Sequence, residues 1–154
     1  MKTSQSIATY LDGKNLKIAI ILARYNDELG NELFRNTQET LIAYKVNPKN
    51  IELFRIPGAL EAPLAAQFLA EKKKFNAIIT LGLVIKGDTA HFEHVCTQSY
   101  RGLMDVSLKT KTPIIFGILT VNNLKQAVER VSKKKLNKGK EYAEAAIEMA
   151  LMVK

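Results

Sequence analysis

Four short apolar runs recur along the chain, and the segments between them are long enough to form helices. The runs are Leu16–Leu22, Ile51–Ile56, Ala77–Leu83 and Pro113–Leu119. They are rich in β-branched residues and nearly continuous, which is typical of parallel strands covered on both faces. Parallel strands need long crossover connections, and the intervening segments have that length. The pattern therefore predicts four buried strands.

The segments between and after these runs carry apolar residues at helical spacing. The predicted helices span about residues 27–44, 60–73, 89–108, a segment starting at 123, and 139–152. Asn123 with Gln126 three residues later is typical of a helix N-terminus. The order of elements, β-α-β-α-β-α-β-α-α, predicts a parallel sheet between two helical layers.

Two of these helices show their apolar positions in more detail. In the second, Pro63 falls in the first turn and is followed by Leu64, Ala65, Phe68 and Leu69. In the third, Val95, Cys96 and Leu103 fall on one side, together with Phe92. Cys96 has apolar neighbours, so we expect it in the core rather than in a reactive position.

The first fifteen residues do not fit this core. Ile7, Thr9 and Leu11 alternate weakly with polar residues. We expect residues 1–15 to form an N-terminal arm or an extra edge strand that can add to a neighbouring chain. Residues 16–154 then form a single domain.

Composition places the chain among ordinary globular proteins. It has 154 residues, of which 47% are hydrophobic and 25% charged, enough for one domain with a real core. Cys96 is the single cysteine, so no internal disulfide can form. No apolar run approaches the roughly 20 residues that cross a bilayer, and the N-terminus lacks a secretory apolar segment. We expect a cytoplasmic protein without membrane association.

The net charge of +8 favours anionic partners, which include phosphorylated substrates and nucleic acid. The lysines concentrate in Lys72–Lys74 and Lys133–Lys135. No aromatic residues interleave with these runs, which weakens the case for a surface that stacks on bases. Solvated helix ends and turns explain the runs more simply.

Candidate chemistry concentrates after the four strands. In open α/β sheets, ligands bind beyond the carboxyl ends of the strands. The segments there are Arg24–Asn26, Pro57–Glu61, Val84–His91 and Thr120–Asn123. Nearly every chemically distinctive residue outside the lysine runs lies in one of them.

Two of these features admit a functional and a structural interpretation. Gly87, Asp88 and Thr89 open the third helix, where free amides suit a phosphate, although Asp88 or Thr89 could simply cap the helix. His91 follows and is suited to proton transfer, although it could equally be a packed histidine. His91 and His94 alone supply too few ligands for a metal site.

Gly58 and Arg130 each admit two interpretations, and several well-known sequence motifs are absent. Gly58 allows close approach of a flat ligand, or serves an ordinary turn. Arg130 is a natural phosphate partner, or a solvated arginine. No dinucleotide fingerprint, Walker loop or catalytic triad is found in the sequence.

Taken together, the ordered motifs resemble those of lumazine synthases over residues 16–152. They are Arg24–Asn26, Ile56–Pro63, Leu81–Phe92, Phe116–Thr120 and Asn137–Gly139. The resemblance implies a flavodoxin-like three-layer αβα sandwich with a four-stranded parallel sheet. It also implies condensation of 5-amino-6-(D-ribitylamino)uracil with 3,4-dihydroxy-2-butanone 4-phosphate to give 6,7-dimethyl-8-ribityllumazine, phosphate and water. Neither a metal nor an organic cofactor is implied.

The resemblance also assigns roles to individual residues. It implies pyrimidine and ribityl contacts for Tyr25, Gly58, Ala59, Leu60, Glu61, Leu83, Val84, Ile85 and Phe116. It implies butanone phosphate contacts for Asp88, Thr89 and Arg130, and proton transfer for His91. Phe116 and Arg130 are expected to come from the adjacent subunit. Three residues depart from the commoner family pattern, namely Tyr25, Leu60 and Lys86.

The resemblance also implies how copies of the chain assemble. The family forms pentamers, and some members pack twelve pentamers into a 60-subunit shell. Only six residues, Val131 to Leu136, separate Arg130 from Asn137, as in shell-forming members. We therefore expect the shell, and an association with riboflavin synthase is a further expectation. The alternatives are a flavin- or phosphate-binding module without catalysis and a nucleic-acid-binding protein.

Overall fold

A computed structural model of the chain describes residues 11–154 and contains four strands and five α-helices in that part of the chain. The strands are β1 (Ile18–Ala23), β2 (Ile51–Ile56), β3 (Ala77–Ile85) and β4 (Ile114–Val121). The helices are α1 (Asp27–Ala43), α2 (Ala62–Glu71), α3 (His91–Thr110), α4 (Leu124–Val131) and α5 (Lys138–Met152). Single turns of 3₁₀ helix, Pro48–Asn50 and Ala59–Glu61, precede β2 and α2.

The four strands form one parallel sheet in the order β2-β1-β3-β4. One core lies between the sheet and the helices α1, α4 and α5, and a second lies between the sheet and the helices α2 and α3. The predicted flavodoxin-like three-layer sandwich is therefore confirmed. Residues 1–10 of the predicted edge strand lie outside the described residues.

The central strands are buried on both faces, as their apolar runs predict. Every residue of β1 is buried, and so are the first seven residues of β3. Thr80 is the polar exception in β3, and its hydroxyl donates to the carbonyl of Ile115 in β4 at 2.9 Å. Burial of this hydroxyl therefore leaves no unpaired polar atom.

The start of α4 is also confirmed. The Asn123 side chain accepts a hydrogen bond from the amide of Gln126 at 2.9 Å. The Gln126 side chain reaches back to the amide of Asn122 at 2.7 Å. One unpaired amide of the first helical turn and the amide of the residue before the N-cap are thereby satisfied.

The expectation that Cys96 lies in the core needs correction. Cys96 is only half-buried, because α3 buries Val95, Ser99, Leu103 and Val106, and the next residue after Val95 lies about 100° around the helix. In α2, Leu64 and Phe68 are 77% and 62% exposed, whereas the buried residues are Ala62, Ala66, Leu69 and Ala70.

Helix and strand limits near the site also differ from expectation. The third helix begins at His91, so Thr89 precedes it. β3 continues through Val84 and Ile85, and β4 continues through Thr120 and Val121, because these residues pair with one another. No helix in residues 11–154 is long and apolar enough to cross a membrane.

Close packing of β4 against its neighbours gives a test of the fold. A Cβ added at Gly117 would lie 2.5 Å from the Thr80 carbonyl oxygen and 2.7 Å from Leu81 Cδ2. Because the first contact is with backbone, we expect Gly117→Ala to lower the free energy of unfolding by about 1–3 kcal/mol. Urea denaturation at one fixed protein concentration measures this loss.

Gly87→Ala is the matched control, since nothing lies within 4 Å of a Cβ at Gly87 and its φ is not positive. Its unfolding midpoint should stay unchanged or rise slightly. Equal midpoints for the two variants would contradict the packing described for β4.

Candidate active site

A cleft of about 490 Å³ opens at the carboxyl ends of β1 and β3. These two strands are neighbours, and the chain winds outward from them in opposite directions, to β2 on one side and to β4 on the other. Ligands of open α/β sheets bind at such a switch point. The lining consists of Ala23, Tyr25, Asn26, Pro57, Gly58, Ala59, Leu60, Glu61, Leu83, Val84, Ile85, His91 and Val95.

One wall of the cleft is the free edge of β3. The last paired residues of β1 and β3 are Leu22 and Leu81, whereas β3 stays paired with β4 through Ile85. The Leu83 carbonyl points to the vacated side, where it accepts a hydrogen bond from the Asn26 side chain at 3.1 Å. Backbone groups of successive residues point to opposite edges, so the amide and carbonyl of Ile85 also point into the cleft.

Tyr25 forms the opposite side and is 71% exposed. Gly58 packs directly against its ring: a Cβ there would lie 3.1 Å from two ring carbons and 3.3 Å from a carboxylate oxygen of Glu61. Gly58 has an extended backbone, so close approach rather than φ requires glycine here. The ring presents an open aromatic face to a planar ligand.

The floor and rim come from the turn between β2 and α2. Ala59 is buried, while Leu60 is 47% exposed and adds apolar surface to the rim. The Glu61 amide donates to the Gly58 carbonyl at 3.2 Å, which holds the turn closed. The Glu61 carboxylate is exposed on the cleft wall and can accept hydrogen bonds from ligand hydroxyls.

The loop from β3 to α3 leads from the free strand edge to the N-terminus of α3. His91 is its first helical residue and lines the cleft, and the His91 amide donates to the Thr89 hydroxyl at 3.3 Å. The N-cap residue of α3 is Ala90, which provides no side-chain cap, so the Thr89 hydroxyl accepts this bond from one residue before the N-cap. Asp88 and Thr89 are exposed beside the cleft but do not line it. On the same loop, Lys86 Nζ lies 3.7 Å from Glu93 Oε1 in the first turn of α3.

Phe116 and Arg130 do not reach the cleft of their own chain. Phe116 lies on β4, an outer strand of the sheet, and is half-buried against Tyr100, with ring centroids 5.9 Å apart. Arg130 is in the last turn of α4, where its guanidinium donates to the Gln126 carbonyl at 3.1 Å. Their predicted role in a neighbouring subunit stays a prediction.

Of the lining residues, Ala23 and Val95 lie outside the segments singled out after the strands, while Asn26 and Pro57 lie inside them but were assigned no role. Val95 could have been found, because it follows His91 by four residues on one helix face. The bond from Asn26 to Leu83 joins residues 57 apart, so no local pattern predicts it.

The titratable groups near the cleft indicate which kinds of catalysis it can support. Burial, reinforced by the Glu93 carboxylate, raises the pKa of the Cys96 thiol above its usual range. The thiol next to Val95 is thus protonated at neutral pH and a poor nucleophile. Within residues 11–154, no group of three or more His, Cys, Asp or Glu side chains could hold a metal ion. His91 is the lining residue best suited to proton transfer near neutral pH.

The chain also matches the model of a known protein family. The model described as 6,7-dimethyl-8-ribityllumazine synthase matches residues 15–154. The matched range contains every strand and helix described above and every residue that lines the cleft. The chain therefore belongs to the 6,7-dimethyl-8-ribityllumazine synthase family, the lumazine-forming enzymes of riboflavin biosynthesis.

Proposed function

We propose that this protein is a transferase that condenses 5-amino-6-(D-ribitylamino)uracil with 3,4-dihydroxy-2-butanone 4-phosphate. The products are 6,7-dimethyl-8-ribityllumazine, inorganic phosphate and two water molecules. The observation that carries the proposal is that nine of the thirteen predicted site residues line a single cleft, with His91 at the start of α3.

The pyrimidine ring is proposed to bind between the Tyr25 ring and the free edge of β3. The exposed face of Tyr25 provides stacking, while the backbone of Leu83–Ile85 pairs with polar atoms on the edge of the ring. The Glu61 carboxylate accepts hydrogen bonds from the ribityl hydroxyls. Leu60 covers apolar atoms at the rim.

The phosphate of the second substrate is proposed to bind at the loop before α3. The first turn of this 20-residue helix offers free amides and the positive end of its dipole. The space around Gly87 leaves the backbone accessible, and Asp88 and Thr89 contribute amides there. Arg130 from the adjacent subunit completes the phosphate contacts.

The reaction needs proton transfers but no covalent enzyme intermediate. The 5-amino group attacks the ketone and water leaves, which gives an imine. Phosphate is then eliminated from C4 as C3 loses its proton, and the resulting C3 enol tautomerises to a carbonyl. The ribityl-bearing nitrogen attacks this new carbonyl, and loss of the second water closes the ring. His91 moves protons during imine formation and phosphate loss, and holding both substrates together can supply up to about 7–11 kcal/mol of the barrier.

A test of His91 follows from its place beside both proposed subsites. We expect wild-type protein to form the lumazine from the two substrates. His91→Ala should lower kcat by about 10²–10⁴-fold, because a general acid–base group is lost, with much less change in pyrimidine affinity. Steady-state kinetics and titration with the pyrimidine measure the two effects.

His94→Ala is the matched control: His94 is exposed on the same helix, one turn further on, and does not line the cleft. It should keep wild-type kcat. If His91→Ala retains nearly full turnover, proximity alone carries the reaction and the role of His91 is wrong. A bound yellow chromophore without product formation would instead favour a flavin-binding module.

The shared site can be tested by mixing variants. Arg130→Ala should chiefly raise the KM for the butanone phosphate, because a charged phosphate contact is lost. If Arg130 serves the neighbouring subunit, dissociated and reassembled mixtures of Arg130→Ala with His91→Ala contain some sites with both wild-type groups. These mixtures should therefore exceed the activity of either parent.

Subunit exchange must be shown with labelled protein before the mixtures are compared. Mixtures that exchange subunits but never exceed the parent activities contradict a site shared between subunits.

We also propose that the protein assembles into pentamers, and that twelve pentamers form a shell. Several large apolar side chains on α2 and α3 are exposed in the single chain, including Leu64, Phe68 and Leu108. Such surfaces usually mark a protein interface. Contacts that repeat one pair of different surfaces form a ring when the rotation between neighbouring subunits closes. An association with riboflavin synthase and a cytoplasmic location stay predictions.

Light scattering coupled to size exclusion measures the assembly. We expect a mass near that of 60 chains. A mass near a single chain of 17.2 kDa would contradict both the ring and the shared site. A pentamer-sized peak would contradict only the shell.

A further inference from the structure

The helix that carries Arg130 is short and depends on its neighbours for its position. α4 has eight residues, of which only Ala127 and Val131 are buried. A helix of this length is marginally stable in isolation. Its N-terminus is held locally by Asn123 and Gln126. Its C-terminal turn, where Arg130 lies, has backbone bonds from Ser132 to Val128 and from Leu136 to Glu129.

A buried asparagine on α1 binds the C-terminal end of α4 from outside the helix. Asn36 is 6% exposed, and its side-chain amide donates to the Val131 carbonyl at 2.9 Å. Val131 is the last residue of α4, so its carbonyl has no partner within the helix. The bond therefore satisfies a terminal carbonyl and fixes the residue next to Arg130 to α1.

The far end of the α4–α5 connection rests on the same turn of α1. A Cβ at Gly139 would lie 2.9 Å from both the amide and the hydroxyl of Thr37, and 3.0 Å from Asn36 Cβ. Both ends of the connection therefore contact α1, one through Val131 and the other through Gly139. An exposed ion pair, Lys133 to Glu39 at 2.8 Å, also joins the two elements, but such pairs contribute little.

We propose that Asn36 is a positioning residue for Arg130. It fixes the end of α4 from which the guanidinium reaches the phosphate of the butanone substrate in the neighbouring subunit. The inference rests on the proposed function, because it takes Arg130 as a phosphate-binding group. Phosphate recognition by a guanidinium depends on geometry, and a displacement of about 1 Å can cost on the order of 10²-fold in rate.

Asn36→Leu tests the proposal, because leucine keeps the approximate size but leaves the Val131 carbonyl unpaired. We expect the KM for the butanone phosphate to rise by roughly tenfold, below the full cost of a 1 Å displacement. The KM for the pyrimidine should change by less than about twofold, since no residue of α1 itself lines the cleft and Asn36 lies ten residues beyond Asn26, where α1 meets it. If Asn36→Leu fails to fold, Asn36→Ala removes the same donor without added bulk.

Thr37→Val is the matched control. Thr37 is fully buried beside Asn36, but its hydroxyl donates to Leu33 within α1 at 2.8 Å. The substitution removes a buried hydrogen bond of similar kind without breaking the tie to α4. It should lower stability while leaving both KM values near wild type. An equal rise in the butanone phosphate KM would mean that general destabilisation of α1 is the cause, and would overturn the proposal.

A double-mutant cycle separates positioning from a merely structural role. If Asn36 acts through Arg130, Asn36→Leu should add no further rise in the butanone phosphate KM in an Arg130→Ala background. Effects that multiply would overturn the proposal. So would a wild-type butanone phosphate KM in Asn36→Leu while Arg130→Ala raises it, and this outcome leaves the proposed function intact. Wild-type protein that forms no lumazine contradicts the proposed function and this inference together.

Discussion

The site depends on a difference in length between the two central strands. β3 continues to Ile85, while its pairing with β1 stops at Leu81, so one edge of β3 is left without a strand partner. Backbone groups need hydrogen-bond partners, and Asn26 supplies one for Leu83. The remaining groups at Ile85 point into the cleft, where a planar ligand with polar edges can pair with them.

The same segment also carries the other proposed functions. Residues 83–91 run from the free strand edge through the loop around Gly87 to His91 at the start of α3. The ring-binding edge, the phosphate-binding loop and the proton-transfer group therefore share one short, continuous stretch of chain. Their spacing is set by the end of β3 and the start of α3, both of which are held by the cores on either side of the sheet. A reaction that relies on placing two substrates together needs such rigid spacing.

Local sequence patterns predicted the parts of the structure that local physics determines. The apolar runs gave the buried strands, and Asn123 with Gln126 gave the start of α4. The extension of β3 through Ile85 was missed, because it follows from pairing with β4 rather than from its own residues. Cys96 was misplaced because one residue of rotation on a helix separates a core position from a flank.

The candidate site was predictable in part for a similar reason. The rule that ligands bind at strand ends brought the segments after β1, β2 and β3 to one place, and the cleft confirms that they meet. Phe116 and Arg130 lie away from the cleft of their own chain, so their proposed role requires a neighbouring subunit. The hydrogen bond from the Asn36 side chain to the Val131 carbonyl joins residues 95 apart, so no local sequence pattern predicts it.

A crystal structure with 5-amino-6-(D-ribitylamino)uracil bound tests most directly whether the free edge of β3 recognises the substrate. The account predicts that the pyrimidine ring stacks on Tyr25 and that its polar edge hydrogen-bonds to the backbone of Leu83 to Ile85. A ring bound elsewhere, or one in this cleft with no hydrogen bond to that backbone, would contradict it.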